Sequence, residues 1–330
     1  MNARSGTNWK IVVIAALLAA ASARPSHAQT ALKSNGDVGD KMEIMWQKLD
    51  SQVKQADQEL DGVMGVAIED LTTGQTYFLH GDDIFAQASS IKIAVLAELY
   101  RQDQLAAQGQ PGNARLTDLY TVQASDIVPD SDIMSGLTPG LTRITNRDLA
   151  TMMIAVSDNA ATNVLIDRLG MDKVNALLTG LGLQHTQLRR KMMDLGAAAE
   201  GRENISTPRE MMTLLEAIYK EKVLDATHTQ EFWKMLGTHK DSWIPRLLPD
   251  DVRVAEKPGA LEGVRNDSGI IFAQGRPFLL CVMTSYLRSE RQGEETIGSV
   301  ARAAYLMFDR LGRASEYGRV ISERNSSPPK

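Results

Sequence analysis

Apolar residues recur at helical spacing from Lys41 to Leu60 (Met42, Met45, Trp46, Leu49, Val53), which predicts an amphipathic helix. From Val63 to Asp70 the pattern alternates as a strand. Thr72-Thr73-Gly74 makes a turn, and Thr76 to Leu79 returns as a hairpin partner. From Ser89 to Leu105 the chain is apolar nearly all round (Ile91, Ala94, Val95, Leu96, Leu99), so a buried helix is expected. Residues 106–144 carry little periodicity and read as loops and short helices. Thr145 then caps a helix over Leu149–Val156, with Asp148 three residues on. Helices follow over Ala160–Leu169 and Lys173–Leu181, stopped by Gly170 and Gly182. After a polar connection over 185–207, Thr207-Pro208 opens a helix reaching Ile218, and another covers Thr229–Leu236. Val252–Glu256, Gly269–Ala273 and Phe278–Ser285 read as strands, and Ile297–Leu311 as a closing helix. Strands at both ends with helices between imply an α+β fold: one antiparallel sheet, built from both termini and flanked by helices, with an all-helical unit inserted. The expected units are an α/β domain over 41–84 and 245–318, a helical domain over 85–244, a linker over 29–40 and a disordered tail over 319–330.

The first residues change the cellular picture. Arg4 and Lys10 precede an apolar run from Ile11 to Ala21, and Ser26-His27-Ala28 offers a small-x-small cleavage site before Gln29. This predicts a signal peptide over 1–28 and a secreted protein, exported to a bacterial periplasm. The run is too short to span a bilayer comfortably, so no stable membrane insertion is expected after cleavage. With 330 residues, 43% hydrophobic, 23% charged and a net charge of -5, the chain offers nothing to attract nucleic acid. The five histidines show no ligand spacing and Cys281 is the only cysteine, so no metal, no disulfide and no cofactor are expected. Cys281 lies in an apolar run and reads as a buried small hydrophobe.

Three short segments carry candidate chemistry. In Ser89-Ser90-Ile91-Lys92, residues three apart on a helix share a face, so Lys92 stands beside the Ser89 hydroxyl. A serine needs an adjacent base to become a nucleophile. A lysine desolvated in an apolar helix loses its proton more readily and can serve. Ser157-Asp158-Asn159 falls between two helices: Ser157 can relay a proton to a leaving group, Asn159 can bind a substrate amide, and Asp158 can hold the loop. Lys257-Pro258-Gly259 follows a strand, and Lys257 can orient the serine relay or a substrate carboxylate. Taken singly, each has a plainer reading as a helix cap, an inter-helix turn or a solvated lysine. Ser51-Gln52-Val53-Lys54 repeats the first spacing with no partner segments. The ordered set of three carries the weight.

That set, with Met152–Asn163 and Gly263–Gly269 as supporting stretches, resembles the class A-type serine β-lactamase family along nearly the whole mature length. The resemblance implies a β-lactamase/transpeptidase-like fold and a serine hydrolase acting on cyclic amide C–N bonds. Ser89 would be acylated and Lys92 would accept its proton. Ser157 and Lys257 would serve the leaving nitrogen and the substrate carboxylate. The backbone N–H groups of Ser89 and Ala260 would form the oxyanion hole. Two positions depart from the family. Pro258 stands where a threonine or serine is usual, which passes carboxylate binding to Arg265. Arg190 matches the arginine of the family's Ω-type loop, but Met192 stands where a glutamate would activate the deacylating water. Asp194, Glu200 and Glu203 are the nearby carboxylates that could substitute, none at matching spacing. Asn204 stands at the loop-closing aspartate.

The leading expectation is a monomeric secreted hydrolase acylated on Ser89 by a small-molecule β-lactam and then slowly hydrolysed. A penicillin-binding D-alanyl peptidase or related amidase or esterase, acting on a peptidoglycan-like peptide, is the second reading. A non-catalytic binding protein on the same fold is the third, and it is opposed by the intact Ser89, Lys92, Ser157 and Asn159.

Overall fold

The computed structural model describes residues 38–315 and 317–320. The expected signal peptide, residues 29–37 of the linker and residues 321–330 of the tail lie outside the described residues. Among those described, no helix is long and apolar enough to cross a membrane.

The chain runs α1 (Val38–Glu59), β1 (Val63–Asp70), β2 (Thr76–Leu79) and β3 (Phe85–Ala86) into a single 3-10 turn, Ala88–Ile91, which leads into α2 (Lys92–Ala107). It continues through β4 (Leu119–Thr121), β5 (Arg143–Thr145), α3 (Asn146–Ala155), α4 (Asn159–Leu169), α5 (Met171–Gly180), α6 (Leu195–Ala199) and β6 (Ile205–Ser206). Then come α7 (Pro208–Tyr219), α8 (Ala226–Leu236), β7 (Val254–Leu261), β8 (Val264–Ile271), β9 (Phe278–Ser285) and α9 (Glu290–Gly312).

The architecture is the expected α+β arrangement. One antiparallel sheet in the order β2-β1-β9-β8-β7 joins strands from both ends of the chain. Side chains alternate across a strand, so the sheet feeds two apolar clusters. Met64, Val66, Ile68, Leu280 and Val282 pack with α1 and α9 through Trp46, Leu49, Ile297 and Phe308. Ala67, Leu279, Cys281 and Met283 face the other way, onto a cluster that includes α2, α4 and α7. Cys281 is buried, and burial pushes its thiol up to about 12.

The helix starts follow the capping logic. The Thr145 hydroxyl accepts from the Asp148 N–H while the Asp148 carboxylate accepts from the Thr145 N–H. Thr207 caps α7 ahead of Pro208. The strands beside the cleft differ from expectation. β7 does not stop at Glu256 but runs through Lys257-Pro258-Gly259 to Leu261, and β8 begins at Val264 rather than Gly269. Buried polar residues hide both strands from a hydrophobic pattern: Asn266 Nδ2 donates to the Ala86 carbonyl at 2.7 Å, and Asp267 Oδ2 accepts from the Trp243 and Ile244 N–H groups. Pro258 is accommodated because β7 is an edge strand. The expected loops contain the small pairings β4–β5 and β3–β6. Helix α9 starts at Glu290, seven residues before the first apolar position that marks it, because Ser289 caps it. At the other end Val320 bridges to Ala314.

Candidate active site

The turn that carries Ser89 is pressed against β7. Ser90 Oγ donates to the Lys257 carbonyl at 3.1 Å. A Cβ on Gly259 would lie 2.6 Å from the Gln87 carbonyl oxygen and 2.8 Å from the Ser90 nitrogen. Only glycine permits that approach, which brings the first and third sequence segments together.

Lys92, the first residue of α2, is fully buried. Its ammonium donates to the Ser157 carbonyl at 2.6 Å, to Ser157 Oγ at 3.0 Å and to Asn159 Oδ1 at 2.9 Å. Lys257, equally buried, donates to the same Ser157 Oγ at 3.2 Å and to the Pro258 carbonyl at 2.8 Å. Ser157 Oγ therefore accepts from two amines. A hydroxyl has two acceptor lone pairs and one proton, so its O–H remains to donate into the cleft. Ser89 is half-buried at the cleft, and among the described residues its hydroxyl makes no side-chain hydrogen bond. Lys92 thus stands in the chain of contacts with Ser157 rather than bonded to Ser89.

Burial holds Lys92 well below the ordinary lysine range. The Lys257 charge adds to that, while Asp158 and Asp130 act in the opposite direction. Burial pushes Lys257 down to about 8, with Glu256 opposing and Lys240 reinforcing the shift. Asp158 holds the loop in place: Oδ1 accepts from the Ala161 N–H and Oδ2 from those of Ile133 and Met134.

Ser89, Asn159, Met192, Ala260, Asp130 and Glu203 are among the residues that border one cleft of about 290 Å³. Ser157, Lys257, Pro258 and Lys240 border a second of similar size, so Ser157 and Lys257 form part of its wall. Seven non-glycine residues among those described have positive φ, and four of them (Ala88, Asp130, Ser157, Met193) border these two clefts. Each such residue costs on the order of 1 kcal/mol, and such strain gathers where a site needs a fixed geometry.

The remaining predicted residues fall unequally. Arg265 does not offer its guanidinium to the cleft. Nε pairs with Glu294 at 3.0 Å, Nη2 with Glu290 and Nη1 donates to the Leu261 and Val264 carbonyls, leaving the side chain 11% exposed. The expectation that Arg265 takes over carboxylate binding is corrected on this ground. Arg190 closes the neck of its loop on Glu203, at 2.8 Å, while Asn204 Oδ1 accepts from the Arg189 and Arg190 N–H groups. Of the three substitute carboxylates, Asp194 caps α6 and Glu200 pairs with Arg202 at the surface. Only Glu203 reaches the cleft, where Arg190 occupies it. Met192 is buried on the cleft wall, its backbone held by Asn163. Sequence reasoning assigned no role to Asp130 or Lys240. Both lie in segments without periodicity, and nothing local marks them as neighbours of Lys92 or Lys257.

A half-buried serine one turn ahead of a buried lysine, with a second serine's hydroxyl held between that lysine and another, on an antiparallel sheet with a helical insertion, fits a serine acyl-transfer enzyme. The family model described as the β-lactamase enzyme family matches residues 48–308. The chain belongs to that family, in its class A serine branch, whose members are hydrolases of cyclic amides. It is 25% identical over 275 residues to β-lactamase SME-1 of Serratia marcescens, covering 78% of this chain and 88% of that one. It resembles the solved β-lactamase of Sphaerobacter thermophilus with 30% identity and a TM-score of 0.70, over 78% of this chain and 96% of that one. The structure of PBP-A, at 24% identity and a TM-score of 0.71 over 80% and 96% of the two chains, shares the fold.

Proposed function

We propose that this protein is a secreted enzyme that acylates Ser89 with β-lactams and releases the acyl group slowly. The observation that carries the reading is the pairing of an assembled acylation apparatus with an unreactive residue opposite it. Lys92, three residues after Ser89, is linked through Ser157 to Lys257, while Met192 borders the same cleft as Ser89. In the proposed course Lys92 first gives up one of its three protons, which its burial eases; Ser89 Oγ then attacks the lactam carbonyl and its proton passes to the freed amine. The N–H groups of Ser89 and Ala260 take the oxyanion. As the C–N bond breaks, the Ser157 hydroxyl proton goes to the departing nitrogen, and Lys92 restores it. Hydrolysis of the resulting ester needs a base for water, and a thioether accepts no proton from water. Export rests on the leader-like residues 1–28.

Intact-protein mass spectrometry with benzylpenicillin tests this. The expected result is one adduct of the whole penicillin mass that persists for minutes or longer and is absent from Ser89→Ala. A folded protein that gives neither adduct nor hydrolysis overturns the reading. Met192 also favours a second reading, a penicillin-binding D-alanyl peptidase. Turnover of a D-Ala-D-Ala peptide together with long-lived penicillin adducts would select it.

A further inference from the structure

The geometry points to Asp130 as a specificity-determining residue that selects acyl donors carrying an ammonium group on the acyl side chain. This rests on the reading of Ser89 as the acylated nucleophile.

Asp130 borders the same cleft as Ser89 and Asn159. Its place is fixed from the backbone: φ is +53°, and its carbonyl accepts from the Asn159 N–H at 3.3 Å. Asn159 in turn accepts from Lys92, so the Asp130 backbone is tied to the reacting centre through one residue. Its negative charge is felt at the Lys92 ammonium. Among the described residues no hydrogen bond or ion pair engages the Asp130 carboxylate. The other charged pair at the cleft, Arg190 and Glu203, is internally satisfied. The rest of this wall is largely apolar, with Met192, Met193, Leu195 and Leu261. A cleft whose exposed rim carries one carboxylate with no protein partner, among thioethers and leucines, complements an acyl group with an apolar body and a single cation. A neutral or anionic acyl group gains nothing from Asp130 or is repelled by it.

Benzylpenicillin and ampicillin differ only by the side-chain α-amino group, so the pair isolates this contact. Second-order acylation rate constants are measured by mass spectrometry at about pH 6, where the ampicillin amine is charged. The comparison uses the wild-type chain and Asp130→Asn, which keeps the shape and tolerates the same backbone conformation. The wild type is expected to favour ampicillin by about fivefold, with the preference reduced by added salt. In Asp130→Asn, and in the backbone-compatible Asp130→Gly, the ratio is expected to fall to about one through ampicillin alone. A ratio that both variants leave unchanged while adducts form overturns the role of Asp130. An equal fall for both penicillins also overturns it, because Asp130 would then act through Lys92. Failure of the wild type to form an adduct with either penicillin overturns the reading of Ser89, and this inference with it.

Discussion

Asn163 grips Met192 by its backbone: the Met192 N–H donates to Asn163 Oδ1 at 2.8 Å, and Asn163 Nδ2 donates to the Met192 carbonyl at 3.0 Å. Neither bond involves the thioether, so the position is held whatever side chain it bears. Met192→Glu therefore adds a proton acceptor to the cleft while keeping both backbone bonds to Asn163, at the cost of the thioether's packing in the apolar cluster. Release of the acyl group is expected to speed up by about 10²- to 10⁴-fold, the usual contribution of a placed general base. Acylation should change little. The decay of the penicillin adduct by mass spectrometry checks this, and an adduct as durable as that of the wild type would remove Met192 as the cause of slow release.

Lys257 makes the chemistry depend on pH in a defined direction. Burial lowers its folded value to about 8, whereas an unfolded lysine titrates at about 10.4. Between those values the unfolded chain binds more protons, so this group makes the folded state more stable as pH rises through the window. Its destabilising contribution is fully present below about 8. If Lys257 meets the substrate carboxylate, as the family resemblance implies, function runs the other way, because that ammonium is lost over the same range. Apparent affinity for benzylpenicillin is expected to weaken above pH of about 8. In Lys257→Arg that limb should disappear up to at least pH of about 10, since a guanidinium stays charged. Acylation measured against penicillin concentration across this range is the check, and an unmoved limb would assign it to another group.

The longer helices and the first hairpin are legible in the sequence because apolar residues mark their buried faces directly, whereas the five-residue α6 lies unmarked in the polar connection over 185–207. The strands that build the cleft are not. Pro258 and Gly259 in β7, and Arg265 to Ser268 in β8, break the alternation, and partners far along the chain make their burial tolerable. The site divides in the same way. Ser89, Lys92, Ser157 and Lys257 stand in short local segments, although the bond from Lys92 to Ser157 joins residues 65 apart. The commitment of Arg265 to Glu290 and Glu294 depends on how α9 lies against β8, and no local pattern reports that. The free carboxylate of Asp130 depends likewise on the path of an aperiodic loop.

Gly259 should tolerate no side chain. A Cβ there would meet the Gln87 carbonyl oxygen and the Ser90 nitrogen inside 3.0 Å, and backbone cannot yield as a flexible side chain does. Gly259→Ala is expected to push β7 from the Ser89 turn and cost about 1–3 kcal/mol of stability, as overpacking does. The acylation rate should fall by more than about tenfold, because a displacement of about 1 Å at reacting groups is that costly. Thermal unfolding and the acylation rate, measured together, test this. A variant with normal stability and normal acylation would show that the close contact does not position the nucleophile.

Pro258 bears on how a substrate carboxylate is held. It borders the second cleft with Ser157 and Lys257, and it brings neither a hydroxyl nor an N–H. Two of the three Lys257 donors are spent on Ser157 Oγ and the Pro258 carbonyl, and Arg265 is occupied by two glutamates and two carbonyls. With Lys257 as the proposed carboxylate partner, one lysine proton is left for it where the related pattern supplies a hydroxyl as well. Pro258→Thr restores that donor on an edge strand that can accept it. A hydrogen bond to a charged group contributes about 1.5–3 kcal/mol, so apparent affinity for benzylpenicillin is expected to improve by about tenfold or more. The methyl ester of the same penicillin, which has no carboxylate charge, should gain far less. Equal gains for acid and ester would mean that the substitution acts by relaxing the strand and not by meeting the carboxylate. Arg265→Ala supplies the complementary control: with its guanidinium already committed, it should lower thermal stability while leaving the acid-to-ester ratio unchanged.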